Sequence, residues 1–173
     1  MAALNLKSLI RDIPDFPKKG ILFKDITTLL KNPEGLHQAA DELGRLIEPH
    51  HPDQIVGIES RGFIFGSILA YKFKAGFIPV RKKGKLPGKT LMESYELEYG
   101  TSELEIHHDA ILQGTHIAVI DDLLATGGTA QATIRLIEKL GGKVMAVGFL
   151  VELAFLKGRE KLNGYNVFSL IQY

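Results

Sequence analysis

Short apolar runs alternate with amphipathic segments along most of the chain. Two runs rich in β-branched residues, 54–59 and 116–121, end on a carboxylate and are typical of buried parallel strands. Similar runs predict further strands at 76–81, 143–152 and 166–171. Because helical patterns fall between these strands, we expect an α/β fold with a mostly parallel central sheet flanked by helices.

Three segments carry apolar side chains at helical spacing. The first begins at Asn32, a capping residue, followed by Pro33 in the first turn. The others span 62–74 and 129–140, and the glycine pair 141–142 predicts the end of the last one.

Two segments depart from this alternation. Residues 14–30 begin with prolines and a glycine, and residues 82–108 form a long polar insertion with alternating apolar positions, typical of a hairpin arm. Long excursions from an α/β core are often functional lids. We therefore expect a single domain over 1–173, with 82–108 as a flexible lid or hairpin arm.

Composition limits the classes of partner. Hydrophobic residues make up 45% of the chain and charged residues 24%, and the 21 basic and 20 acidic residues leave a net charge of +1. This balance favours neither nucleic acid nor a membrane as a partner. The chain has no cysteine, and no window approaches the roughly 20 apolar residues of a membrane span. The first residues lack the apolar core of a signal peptide, so we expect a cytoplasmic protein.

The most informative stretch follows the apolar strand at 116–121. Two carboxylates come first, then small residues and a glycine pair, and then a helical pattern. Glycines let the backbone approach a ligand closely, and successive N–H groups at the start of a helix bind anions. A plain strand–turn–helix corner would leave two ionised carboxylates at the end of a buried strand without a partner. The predicted phosphate- and ribose-binding set is Asp121, Asp122, Ala125, Thr126, Gly127, Gly128 and Thr129.

Two familiar phosphate motifs do not fit the chain. No G-x-G-x-x-G sequence follows a strand, so the dinucleotide fingerprint is absent. The run 84–90 has one residue too few for a Walker loop and does not open a helical pattern. The histidines lack the spacing of a metal site, so we expect them to be surface or core residues and not metal ligands.

The run 119–129 resembles the phosphoribosyl pyrophosphate signature of the type I phosphoribosyltransferases. Further segments are similar to the members that act on adenine, and together they cover nearly the whole chain in order: 16–27, 59–66, 81–88, 93–100, 151–153 and 156–162. The resemblance implies transfer of the phosphoribosyl group to adenine, giving AMP and pyrophosphate. It also implies Mg²⁺ held mainly by substrate oxygens and water, and a homodimer.

The resemblance assigns roles to further residues. Pyrophosphate would contact Arg61, Arg81, Lys85 and Tyr99. Glu98 would handle a proton on the base, with Glu96 as the competing candidate because alternate residues of a strand share a face. The segment 14–30 would be a base-binding hood. Adenine would lie against Leu22, Phe23, Lys24 and Leu123, although the family commonly has arginine at position 24.

Two alternatives stay open from the sequence. A related enzyme acting on a 6-oxopurine would carry the same loop signature. A non-catalytic regulator that binds phosphoribosyl pyrophosphate would also carry it, but such a protein should have an added DNA-binding region.

Overall fold

The computed structural model describes residues 4–96 and 101–173. The chain divides into two units, Met1–Glu42 and Leu43–Tyr173. The expectation of a single domain stays a prediction. Among the described residues, no helix has the length and apolar character needed to cross a membrane.

The first unit is built around a small antiparallel pair of strands. Strand β1 (Arg11–Pro14) pairs with β2 (Leu22–Asp25), and a short helix α1 (Thr27–Leu30) follows. Helix α2 (Pro33–Ile47) begins where the cap signal predicts, because the Asn32 side chain accepts a hydrogen bond from the Gly35 N–H at 2.9 Å. A 3₁₀ helix, Leu6–Leu9, precedes β1.

The second unit contains a seven-stranded sheet. In spatial order the strands run β5-β6-β4-β3-β7-β8-β9. The five strands β4, β3, β7, β8 and β9 pair in parallel, and the β5–β6 hairpin joins antiparallel, which confirms a mostly parallel mixed sheet. The bounds are β3 Gln54–Ile58, β4 Gly76–Lys82, β5 Thr90–Glu96, β6 Thr101–His107, β7 His116–Leu124, β8 Lys143–Glu152 and β9 Val167–Gln172.

Helices cover both faces of the central strands. Helix α4 (Gly128–Lys139) packs on the face that carries Val119 and Val147. Helix α3 (Gly62–Phe73) and the end of α2 lie on the opposite face, where Ile120 is directed. Strands enclosed on both sides must be apolar on both sides, which explains the continuous apolar runs in the sequence. Three 3₁₀ helices complete the unit: Glu48–His50, Ala154–Leu156 and Gly158–Leu162.

The strand order reverses between β3 and β7. From β3 the chain continues to β4 on one side, and from β7 it continues to β8 on the other. Open α/β sheets bind ligands at such a reversal, outside the carboxyl ends of the strands. The turns that follow β3 and β7 are therefore the expected location of a site.

The segment 82–108 contains the β5–β6 hairpin. It joins the central sheet through a short pairing, with Arg81 opposite Glu105 and Lys82 opposite Leu104. The connection between β4 and β5 is tied to β6, because the Gly84 N–H donates to the Glu105 carboxylate and Lys83 pairs with Glu103. The role of this segment as a lid stays a prediction.

Candidate active site

Two adjacent carboxylates lie near the carboxyl end of β7. Asp121 and Asp122 are both buried, and Asp121 Oδ1 accepts a hydrogen bond from the Asp122 N–H at 2.9 Å. Burial raises the pKa of Asp121 well above its ordinary 3.8, and the charge of Asp122 adds to the rise. Burial also raises the pKa of Asp122, although the charge of Arg61 opposes it. Two acids placed this way favour a cationic partner.

Arg61 brings a positive charge to this pair. Its Nε lies 2.7 Å from Asp122 Oδ2. Arg61 immediately precedes α3, whose first residue, Gly62, packs on β7. A Cβ at Gly62 would lie only 2.7 Å from the Ile120 carbonyl oxygen and 2.9 Å from Asp121 Oδ1, so glycine allows the start of α3 to reach the carboxylates.

The predicted phosphate loop forms a tight turn between β7 and α4. Gly127 has a φ of 79°, in the left-handed region that favours glycine, and it caps α4. Thr126, Gly127 and Gly128 border a small cavity of about 130 Å³, together with Thr129. The start of a helix presents unpaired N–H groups and a partial positive charge, which suits a phosphate.

A larger cavity of about 660 Å³ joins the turn after β3 to the turn after β7. Several residues predicted from the sequence meet there: Arg61, Lys85, Asp121, Asp122, Leu123, Ala125 and Thr129. The remaining lining residues are Glu59, Ser60, Lys82, Tyr95 and Leu104. The cavity thus has acidic groups on β7 and basic groups on the loops that follow β3 and β4.

Arg81, predicted to contact pyrophosphate, is absent from the described lining of this cavity. Its Nη2 donates to Glu59 Oε1 at 2.8 Å and its Nη1 donates to the Lys85 carbonyl at 2.8 Å. These bonds join the end of β3 to the loop after β4, and the hydrogen bond from Arg81 holds the pKa of Glu59 below its usual value. Lys82 reaches the cavity instead.

Ser60, Lys82 and Tyr95 are site candidates that the sequence analysis did not select. Ser60 lies in the same turn as Arg61, and Tyr95 is a buried residue of β5. Strand alternation could have indicated that only one of Arg81 and Lys82 faces the site, because neighbours on a strand point to opposite faces.

Glu98 and Tyr99 lie outside the described residues. Glu96, the competing candidate for proton transfer, is exposed at the end of β5, opposite Thr101.

The three adenine candidates of the first unit lie on β2. Leu22 is exposed, and the Phe23 ring contacts the Phe16 ring edge-on, with centroids 5.1 Å apart. Lys24 is buried and its Nζ lies 2.7 Å from Asp12 Oδ1. The amine therefore has a carboxylate partner within its own strand pair.

The carboxylates of Asp121 and Asp122 suit a divalent cation that takes its remaining ligands from groups outside the protein. Within the described ranges, no group of three or more His, Cys, Asp or Glu side chains could hold a metal. Asp121 and Asp122 nevertheless supply buried carboxylate oxygens at the cavity. Mg²⁺ prefers oxygen ligands and keeps several waters, so these two carboxylates could supply part of its coordination shell.

Comparison with known proteins identifies the family. A model of the phosphoribosyl transferase domain matches residues 25–171. A relative from Desulfitobacterium hafniense (strain Y51), named adenine phosphoribosyltransferase, is 58% identical over 173 residues and covers all of both chains. The chain belongs to the adenine phosphoribosyltransferase family.

Solved structures agree with this assignment to the adenine phosphoribosyltransferases. One from Thermoanaerobacter pseudethanolicus is 54% identical, with a TM-score of 0.95, and the match covers 97% of this chain and 98% of that one. The adenine phosphoribosyltransferase of Saccharomyces cerevisiae is 43% identical, with a TM-score of 0.90 and 95% of each chain covered. That structure is a complex with D-2,5-dideoxy-2,5-imino-altritol 1,6-bisphosphate and adenine. These matches confirm the type I phosphoribosyltransferase fold.

Proposed function

We propose that this protein transfers the phosphoribosyl group of phosphoribosyl pyrophosphate to adenine, giving AMP and pyrophosphate. The observation that carries the proposal is that Asp121, Asp122, Ala125 and Thr129 line one cavity with Arg61 and Lys85. The rest of the 125–129 loop borders the smaller cavity, which shares Asp121, Ala125 and Thr129 with the larger one. Adenine as the base is supported by the family and by the adenine complex of the yeast relative.

The 125–129 loop binds the 5′-phosphate in this proposal. Its N–H groups and the start of α4 supply the donors, and the hydroxyls of Thr126 and Thr129 add to them. Holding the phosphate fixes the ribose beside Asp121 and Asp122, so the reacting carbon is placed before chemistry begins.

The carboxylates stabilise charge that develops on the sugar. Displacement of pyrophosphate gives the ribose an oxocarbenium-like character, and a nearby negative field favours that state. Burial raises the pKa of both acids, and the positive charge of Arg61 opposes that rise and so favours their ionised forms.

The leaving pyrophosphate takes its counter-charge from the other side of the cavity. Arg61 offers a planar fork that matches phosphate oxygens, and Lys82 and Lys85 add point charges. Arg81 joins the turn at 59–61 to the loop at 82–85 through its hydrogen bonds to Glu59 and the Lys85 carbonyl. In this way it helps to position the cationic side chains that these two segments carry. Mg²⁺, bound by substrate oxygens and water beside Asp121 and Asp122, would neutralise pyrophosphate charge.

Adenine completes the site. We propose that it contacts Leu22, Phe23 and Lys24 from β2 and Leu123 from the cavity wall, and that Glu98 exchanges a proton with it. Tyr99 is proposed to contact pyrophosphate. A homodimer and a cytoplasmic location also stay proposals, supported by the family resemblance and by composition.

The test is pyrophosphate release measured with phosphoribosyl pyrophosphate, Mg²⁺ and each purine in turn. We expect release with adenine, formation of AMP, loss of the reaction with a chelator, and loss in Asp122→Ala. The variant Asp109→Ala, at an exposed carboxyl, is the matched control and should keep wild-type activity.

Two results contradict the proposal in different ways. Release with guanine or hypoxanthine instead of adenine would retain the phosphate site and overturn the base assignment. Binding of phosphoribosyl pyrophosphate without release for any purine would favour a regulator.

A further inference from the structure

The phosphate loop meets a second backbone segment with no side chain between them. A Cβ built on Gly158 would lie 2.1 Å from the Ala125 carbonyl oxygen and 2.9 Å from the Gly127 nitrogen. A Cβ built on Gly127 would lie 2.3 Å from the Gly158 carbonyl oxygen. Real Cβ atoms do not approach backbone atoms this closely, so even alanine at either position displaces one segment.

The segment that carries Gly158 is fixed by hydrogen bonds to the neighbouring strands. The next residue, Arg159, pairs with the buried carboxylate of Glu152 through two hydrogen bonds of 3.0 and 2.5 Å, and it donates to the Val167 carbonyl at 2.7 Å. A bidentate arginine–carboxylate pair fixes direction as well as distance. Gly158 is thus anchored to the end of β8 and the start of β9.

Further contacts join this segment to the elements on each side of the loop. The Gln131 side chain, in the first turn of α4, donates to the Lys161 carbonyl at 3.2 Å. The Leu153 N–H donates to the Leu124 carbonyl at 2.9 Å, just before the loop begins. A shift of the 125–129 loop toward the segment of Gly158 would disturb these hydrogen bonds.

We propose that Gly158 is a positioning residue for phosphate binding. Its backbone contact with Ala125 and Gly127 holds the 125–129 loop in the shape that presents N–H groups to the 5′-phosphate. The inference rests on the proposed function, because it assigns the 125–129 loop to the phosphorylated substrate. Arg159 and Glu152 act through Gly158, because neither is among the lining residues of the two cavities.

The variant Gly158→Ala tests this role by comparing the two substrates. We expect the KM for phosphoribosyl pyrophosphate to rise about tenfold, because the displaced loop no longer directs all of its N–H groups at the phosphate. The KM for adenine should change by less than about twofold, since the base is bound elsewhere. Gly76→Ala is the matched control, because its Cβ would meet its nearest neighbour at an ordinary 3.4 Å.

A binding measurement separates this proposal from the proposed reaction. Calorimetry with ribose 5-phosphate should show about tenfold weaker binding to Gly158→Ala than to the wild type, whether or not adenine is turned over. If the wild type binds ribose 5-phosphate but releases no pyrophosphate, the reaction assignment fails and weaker binding still supports Gly158. If Gly158→Ala keeps wild-type affinity while its melting temperature falls, the positioning role is wrong.

A second pair of variants covers the case in which Gly158→Ala fails to fold. Arg159→Met removes the pair with Glu152, whereas Arg159→Lys keeps the charge and part of the contact. We expect the affinity for ribose 5-phosphate to fall in Arg159→Met and to recover partly in Arg159→Lys. Equal affinities in the wild type and Arg159→Met would overturn the proposal.

Discussion

Arg61 Nε lies 2.7 Å from Asp122 Oδ2, and the two side chains share the cavity between the turns that follow β3 and β7. The pair places a positive and a negative charge side by side in the cavity. In the proposed reaction, the guanidinium would bind the leaving pyrophosphate and the carboxylate would favour the cationic sugar. Because burial raises the pKa of Asp122 and the charge of Arg61 lowers it, the arginine also helps to keep the acid ionised.

The variant Arg61→Gln should therefore change both activity and its pH dependence. We expect kcat/KM for phosphoribosyl pyrophosphate to fall about a hundredfold, in the range reported for loss of one charge-stabilising donor. Without the arginine the pKa of Asp122 rises further, so the acidic limb of the pH profile should move to higher pH. The exposed Arg45→Gln is the control. An unchanged acidic limb would contradict the coupling of the two residues.

Asp121 should limit the stability of the ligand-free protein. Its pKa is raised, so the folded state loses stability as the pH rises from about 4 toward the folded pKa. Asp121→Asn keeps an oxygen for the Asp122 N–H and removes the charge. We expect the melting temperature at pH 7.5 to rise by about 2–4 °C while activity falls, and the stability gain to disappear below pH 4. Scanning calorimetry without ligands measures this, and a lower melting temperature would contradict it.

The hairpin arm should lose stability when its ion-pair cluster on α4 is broken. Glu93 of β5 accepts from Arg135 Nε at 2.6 Å and Lys139 Nζ at 2.5 Å. We expect Glu93→Gln to lower the free energy of unfolding by about 1 kcal/mol in urea denaturation, the upper range for partly exposed pairs. Glu103→Gln, which breaks the more exposed pair with Lys83, should cost less than half of that. Equal costs would argue against a special role for the cluster.

Acid should weaken the first unit through Asp25. The hydrogen bond from the Thr27 N–H, and then the Arg11 side chain, lower the pKa of Asp25 to about 2. A depressed pKa contributes stability above the ordinary value of 3.8, and that stability is lost as the pH falls from about 4 to 2. Asp25→Asn should therefore be less stable than the wild type at pH 7, and the difference should shrink toward pH 2. Unfolding measured across this range checks the slope, with Asp109→Asn as the exposed control.

The central sheet was predictable because burial on both faces leaves a continuous apolar signal. The strand predicted at 143–152 matches β8, and the helix predicted at 62–74 differs from α3 by one residue. The glycine pair 141–142 does follow the end of α4, as predicted. The small pair of β1 and β2 was missed because each strand has only four residues, too few for a periodic pattern.

The candidate site was predictable where one local run supplies the chemistry. Asp121 and Gly127 belong to such a run, and the structure places both beside a cavity. The bond from Arg81 to Glu59 joins residues 22 positions apart and leaves no local signal. Gly158 is similar, because a close backbone approach 31 residues from Gly127 depends on where β8 ends and β9 begins.

The loop after β4 is held both by the central sheet, through β4, and by the hairpin arm, through its bonds to β6. Lys82, at the end of β4, and Lys85, in the loop after it, both line the cavity. Lys83 and Gly84 lie between them and bond to β6. Any tilt of the hairpin therefore carries these two amines with it. The distance between these two amines and the acidic side of the cavity therefore depends on where the hairpin lies on the sheet.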